Sequence, residues 1–328
     1  MELRTTFPVG QSQNKIGYNT PVMFIGSCFA SSIGAMLEMG KIPVMINPAG
    51  AVYNPVSVCN TLDTITSQRV FSQDDLYNYD GTYLSFYHYT DFSSDDPSEV
   101  LLKINKRSKE AFDFLNRARF LFITFGTARV YRWNETGQIV SNCHKIPANR
   151  FERELLTVND IVSLWSKQLD KFKSLFPYLK IVFTISPVRH WKDGAHGNQL
   201  SKSILFLAVE DLLKHSVSPQ YFPAYELMMD DLRDYRFYDE DMLHPSSVAI
   251  NYIWNSFSAC YMENKTMNVW DEAVRITKAC NHRFNKESKN NTMIFAERML
   301  RQITETEGKI PSIDLSKERK YFLNLLIK

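Results

Sequence analysis

Short apolar runs that stop at a glycine or a turn residue, each followed by a stretch of helical period, recur through most of the chain. Residues 22–25 form an apolar run that ends at Gly26, exposes Ser27 and Cys28, and passes directly into a helix-like segment at 30–39. Residues 42–46 give a second β-rich run that ends in the turn Asn47-Pro48-Ala49-Gly50, and 55–67 reads as a helix. Helical spacing over 99–117 offers Leu102, Ala111, Phe112 and Leu115 as an inner face. The run 120–125 is apolar on both faces and stops at Gly126, as suits the centre of a parallel sheet covered on each side. Thr157, with Asp160 three residues on, marks the start of a helix whose stripe is Ile161, Leu164, Trp165, Leu169, Phe172 and Phe176. A fourth run, 181–185, ends at Ser186-Pro187, and helical spacing resumes over 201–215. A fifth strand is expected at 221–225 and a further helix at 245–261.

Strand and helix alternating in this way predict a doubly wound, mainly parallel α/β sheet sandwiched by helices, with right-handed crossovers. Two stretches depart from the alternation. Residues 71–98 mix aromatic, acidic and turn residues and read as an insertion with a hairpin, one lip of a cleft. Residues 129–150 read as a second insertion, a hairpin over 130–133 and 138–142 that carries Asn142, Cys143, His144 and Lys145 toward the sheet's carboxyl edge. Residues 1–262 are expected to form the main domain, and the charged, helical pattern of 263–328 predicts a helical extension packed on it.

Composition narrows the class. With 328 residues, 44% of them hydrophobic, the chain can bury one large core. Lys and Arg number 38 against 36 Asp and Glu, with no basic stripe, which argues against nucleic acid as a partner. No apolar run approaches membrane-spanning length, and the first twenty residues lack the apolar core of a secretory signal, so a soluble, cytoplasmic protein without membrane insertion is expected. The five cysteines, Cys28, Cys59, Cys143, Cys260 and Cys280, are scattered without a C-x-x-C pair, which predicts reduced thiols and no structural zinc site. Walker A, G-x-G-x-x-G and G-x-S-x-G patterns are absent, against P-loop, dinucleotide-binding and ordinary α/β-hydrolase readings.

In a doubly wound sheet the ligand crevice lies outside the carboxyl ends of the strands. Ser27, Gly50, Gly126, Ser186 and the segment around Asp241 all fall there. A strand-to-helix turn suits a nucleophile because backbone N–H groups at the helix start can stabilise an oxyanion. The plainer alternative is a first βα turn in which Gly26 allows the bend and Cys28 fills space. Asp241 and His244 stand three apart, so their side chains can meet on a turn, and a carboxylate that orients a histidine is what a serine hydroxyl needs to become a nucleophile. Pro245 suits the first turn of the next helix.

Gly26-Ser27-Cys28-Phe29-Ala30 resembles the signature of the bacterial GSCFA family, a group similar to the SGNH (GDSL-like) hydrolases. The similarity extends through Phe125 to Ala128, Asn142 to Lys145, Ser186 to Arg189, Asn198 to Lys202 and Tyr235 to Pro245. It implies a three-layer α/β/α sandwich with a flavodoxin-like sheet, Ser27 as nucleophile, His244 as general base and Asp241 as its orienting acid. In SGNH enzymes the oxyanion is held by the nucleophile's own N–H, by a glycine after the second strand and by an asparagine after the third. Ser27 and Gly50 match the first two. The expected G-x-N-D is here Gly126-Thr127-Ala128-Arg129, so the asparagine is missing and Asn142 or His144 becomes the replacement donor to look for. The aspartate that precedes the serine in the larger group is also replaced, by Gly26.

Other readings stay open on the sequence alone. Cys28 could be the nucleophile if His244 lowered its pKa, or a buried small side chain. Arg189 could clamp a substrate carboxylate or phosphate, or make a structural salt bridge. His190 and His196 flank what reads as a solvated loop on the crevice rim. His144 lacks companions at zinc-like spacing, so no metal is expected. The reaction this implies is hydrolysis of an acyl ester on a carbohydrate or small metabolite, without a cofactor. Acyl transfer to another alcohol, or a binding protein on the same scaffold, are the alternatives.

Overall fold

The computed structural model describes residues 4–281 and 289–327. Five parallel strands make the central sheet: β1 (Val22–Gly26), β2 (Val44–Ile46), β5 (Phe120–Phe125), β9 (Lys180–Ile185) and β10 (Gln220–Tyr221). Their spatial order is β2-β1-β5-β9-β10. Counted among themselves in chain order this is 2-1-3-4-5, the flavodoxin-like arrangement, and the winding reverses between β1 and β5. The crevice at that reversal is therefore bounded by Ser27, just after β1, and Gly126, just after β5.

Alternation along the central strands assigns the two helical layers. Val22, Phe24, Phe120 and Phe122 point to one face and pack under α1 (Cys28–Met39) and α7 (Ser247–Tyr261). Met23, Ile25, Leu121, Ile123 and Phe125 point to the other, under α2 (Pro55–Thr66), α4 (Val158–Leu175) and α5 (Gly194–Leu213). Burial on both faces explains why β1 and β5 read as continuous apolar runs. Thr157 and Asp160 form the reciprocal capping box expected at the start of α4.

The two insertions fold together. β3 (Tyr77–Tyr79) and β4 (Thr82–Leu84) form a hairpin, and α3 (Pro97–Leu115) leads back to the sheet. β6 (Arg129–Trp133), β7 (Ile139–Val140) and β8 (Phe151–Leu155) form a small antiparallel sheet. Leu84, Phe86, Trp133, Val140 and Phe151 give the lobe its own apolar centre. β8 is an element the hydrophobic pattern did not predict, because Phe151-Glu152-Arg153-Glu154-Leu155 places charges against β6, where Arg132 pairs with Glu154 at 2.7 Å.

Three other expectations are corrected. Leu102 is 69% exposed, because the buried stripe of α3 runs through Val100, Ile104, Ala111, Phe114 and Leu115 and leaves Leu102 on the outer side. The fifth strand ends at Tyr221, since Pro223 stops it and the chain turns into α6 (Ala224–Glu226) and a π-helical turn at Leu227–Asp231. α5 starts at Gly194, so residues 194–200, expected before the helix, are its first two turns.

The carboxyl-terminal helices α8 (Asn264–Ala279), α9 (Lys289–Lys309) and α10 (Ser316–Ile327) extend the layer over α1 and α7. Trp270 Nε1 donates to Met36 O at 2.9 Å, and Lys41 pairs with Glu318. No helix among the described residues is long and apolar enough to cross a membrane.

Candidate active site

β1 ends at Gly26, whose φ of +143° and N–H bond to Asn47 Oδ1 (2.8 Å) set the turn. A side chain there would put its Cβ 2.2 Å from Thr124 O on β5, so only glycine lets the two strand ends lie this close. Ser27 then takes the N-cap position of α1 with φ −67° and ψ 174°, yet its hydroxyl makes no capping bond. The residue is 1% exposed and its Oγ has no hydrogen-bond partner. A buried, unpartnered hydroxyl at a helix start is uncommon enough to require a reason.

Asp241 and His244 meet on the loop that leads into α7. Asp241 Oδ1 accepts the N–H groups of Leu243 (2.9 Å) and His244 (2.8 Å), and Oδ2 accepts from His244 Nδ1 at 2.5 Å. The backbone N–H of His244, its ring, and the N–H of Leu243 hold the Asp241 carboxyl down at about 2. A carboxylate on Nδ1 assigns the proton to that nitrogen and leaves Nε2 as the basic one. Asp239 N–H to His244 O (2.8 Å) and the bridge between Tyr238 and Pro245 close the loop. Both side chains of the pair are about half exposed, at 47% and 48%. His244 has no hydrogen bond to Ser27, but the Asp241 charge acts on Cys28 next door.

A groove of about 540 Å³ opens beside the pair, lined by Arg189, Trp191, Tyr235, Tyr238, Asp241 and Met242. Arg189 has no carboxylate within ion-pair distance among the described residues, and its buried Nε lacks a partner. The guanidinium lies 5.9 Å from the Trp191 ring.

The remaining residues singled out in the sequence have their own partners. Gly50 has φ +87°, and its N–H donates to Asn47 O at 2.8 Å. The N–H groups of Gly126 (2.7 Å) and Thr127 (3.0 Å) both donate to Tyr53 O, and the Thr127 hydroxyl lies 3.0 Å from that of Ser201. Ser27 N–H itself donates to Thr124 O, at 3.3 Å. Asn142 Oδ1 accepts from His144 N–H at 2.8 Å, and His144 Nε2 donates to Ser85 O at 3.0 Å with its ring against Phe86. Burial lowers the pKa of His144. Asn142 and His144 thus belong to the lobe, which reaches the crevice rim through Tyr89 N–H to Ala49 O (2.8 Å). Burial pushes the Cys28 thiol pKa up, which disfavours its thiolate. Among the described residues no group of three or more His, Cys, Asp or Glu converges as a metal site.

A model of the GSCFA family matches residues 21–257, from the start of β1 into α7. The chain belongs to the GSCFA family. The matched span contains the Gly26 to Ala30 turn and the Asp241–His244 pair. No curated protein matches the chain.

This GSCFA protein also brings to the crevice groups that the sequence singled out only as part of a resembling block, without a role. On α5, Asn198, Ser201 and Lys202 are each at most 1% exposed. Asn198 Oδ1 accepts from His190 N–H at 2.8 Å, and Ser201 Oγ accepts from Ala128 N–H at 2.7 Å. Lys202 Nζ donates to Gly126 O and to Ser186 O, both at 2.7 Å. The signal was the helix phase, since 198, 201 and 202 continue the stripe of Leu205, Ala208, Val209 and Leu212. Asp193, expected in a solvated loop, has a side chain with 0% exposure between Arg129 and Arg153. Those arginines come from β6 and β8, so the contact has no local signature.

Proposed function

We propose that this GSCFA protein is a serine hydrolase of SGNH type that cleaves an acyl ester, with Ser27 as nucleophile and the His244–Asp241 pair as its base. The observation that carries the reading is the combination of a buried Ser27 hydroxyl with no partner and, on the same strand-end crevice, an imidazole whose Nδ1 is locked onto a carboxylate. The orphaned hydroxyl has an explanation if it awaits a proton acceptor and a carbonyl carbon.

In this mechanism His244 Nε2 acts on Ser27 Oγ within hydrogen-bond reach of it. Ser27 Oγ attacks the acyl carbonyl while Nε2 takes its proton. Collapse of the tetrahedral intermediate breaks the ester bond, and the leaving alcohol takes the proton back from the imidazolium. A water molecule, deprotonated by His244, then frees the acyl group as a carboxylic acid and restores Ser27. Arg189 and the rings of Trp191, Tyr235 and Tyr238 give the groove an aromatic and cationic wall, suited to a sugar or a small polar alcohol carrying the acyl group. The same wall could seat a second alcohol as acceptor, which makes acyl transfer the second reading; product analysis with and without an added alcohol separates the two.

The test is intact mass after treatment with a fluorophosphonate, for the unaltered protein and for Ser27→Ala, Cys28→Ala and His244→Ala. One adduct that survives Cys28→Ala and is lost in the other two variants supports the activated serine and justifies screening acetylated sugars. No adduct on folded protein overturns the reading in favour of a binding role.

A further inference from the structure

Lys202 is a buried ammonium without a counter-charge. It is 1% exposed, its Nζ is bonded to two carbonyl oxygens, and no carboxylate lies within ion-pair distance of it among the described residues. The charged and titratable groups that interact with it are Arg189 and His190 from the turn after β9 and Cys28 from the start of α1, and the Tyr225 ring centroid lies 5.6 Å from Nζ. Placing an unpaired ammonium in the interior is costly, because the desolvation is not repaid by a counter-charge. Its stem continues the buried stripe of Leu205, Ala208 and Val209, while its head lies beside the buried polar residues Asn198 and Ser201 at the strand ends. Two carbonyls satisfy two of its three protons and leave one N–H and the whole charge uncommitted.

Its position points to a use. Gly126 O and Ser186 O stand at the carboxyl ends of β5 and β9, and β5 lies beside β1 at the reversal of winding where Ser27 is held. In the reaction proposed above, negative charge appears on the former carbonyl oxygen at Ser27. The backbone N–H groups of Ser27, Gly50 and Gly126 are all bonded within the protein, and Ala128 stands where the SGNH pattern has its asparagine.

The geometry points to Lys202 as the group that stabilises the oxyanion formed at Ser27, its charge standing in for the absent asparagine. The inference rests on the serine hydrolase reading. Lys202 contributes only while it is protonated, and burial, reinforced by Arg189, brings its pKa down to about 7.

The experiment measures the rate of fluorophosphonate labelling of Ser27 from pH 6 to 9 in the unaltered protein, Lys202→Gln and Lys202→Met. Glutamine keeps a donor for the carbonyls without the charge, and methionine fills the stripe without either; a thermal melt shows which variants fold. The expected result is labelling about a hundredfold slower in the folded variants at pH 6, the scale of one lost oxyanion donor. The ratio to the unaltered rate should rise toward one by pH 9, where lysine too is neutral. A purely structural lysine would give a ratio independent of pH. Equal rates at every pH, a constant ratio, or loss of folding in both variants overturns the assignment of Lys202 alone. Absence of labelling in the unaltered protein overturns the serine hydrolase reading, and the role of Lys202 falls with it.

Discussion

Replacing Lys202 by methionine should change the pH dependence of the protein's stability by a calculable amount, since it removes both a buried charge and the donor to Gly126 O and Ser186 O. Burial, with a further push from Arg189, lowers the ammonium from 10.5 to about 7. In the unfolded chain it keeps its ordinary value. Between these two values the unfolded state therefore binds one proton more than the native state, so stability of the unaltered protein rises with pH across this window. The slope from this one group is about 1.4 kcal/mol per pH unit, and the whole interval is worth on the order of 5 kcal/mol. Below pH 7 both states are protonated and the full cost of the buried charge is present. Urea unfolding of the unaltered protein and Lys202→Met at pH 6, 7, 8 and 9 isolates the effect, since every other titrating group is common to both. The stability of Lys202→Met relative to the unaltered protein should be highest at pH 6 and fall by about 2.3 kcal/mol between pH 7 and pH 9, because the native lysine is only half protonated at pH 7. Parallel pH dependences would refute the reasoning, because they would mean that Lys202 titrates in the native state as it does in the unfolded chain.

Gly26→Ala should destabilise by about 3 to 5 kcal/mol in urea unfolding, combining left-handed strain with a Cβ driven 2.2 Å from Thr124 O; a loss under about 1 kcal/mol would show that β1 and β5 can part cheaply. Asn47→Ala removes the acceptor for Gly26 N–H and the donor to Ser31 Oγ, and should cost about 2 kcal/mol in the same assay. A carbon-detected NMR titration should place the Asp241 carboxyl midpoint near 2, rising in His244→Ala, which keeps the backbone N–H bonds and loses only the ring. The Asp241–His244 contact is therefore at full strength above the ordinary carboxylate range and is lost only as pH falls toward 2; a midpoint near 4 would mean that neither the ring nor the backbone N–H groups hold the carboxylate.

The features that could be read from the sequence are those that local pattern controls. β1, β5 and β9 announce themselves because a strand buried on both faces is apolar at nearly every position, and the helices of the two layers because each has a single buried stripe. Asp241 and His244 were legible as a pair because a three-residue spacing is a local geometry. The occupancy of the backbone N–H groups was not legible. Whether Gly126 N–H is free depends on Tyr53, more than seventy residues earlier and brought there only by the fold. Asp193 gives the same lesson from the opposite side, since the residues that make its burial possible, Arg129 and Arg153, arrive from a sheet whose third strand has a charged pattern. Lys202 lies between the two cases. Its phase on α5 was readable, but the carbonyls that hold it belong to two other strand ends.

The electrostatics of the crevice arise from topology more than from any single side chain. α1 begins at Cys28, immediately after Ser27, so the positive end of its dipole faces the switch point. Lys202 reaches the same place from α5, and Arg189 from the turn after β9. The acidic element, Asp241, is held farther out on an exposed loop, and its charge is already committed to His244 and two backbone N–H groups. Such a site favours an anion at the turn and a proton acceptor at its rim. That is the polarity acyl transfer to a serine requires, with negative charge on the substrate oxygen inside and positive charge on imidazole outside. A thiolate at Cys28 would enjoy the same field, yet desolvation outweighs it and the thiol stays protonated, so the field suits best a charge that would exist only during the proposed reaction.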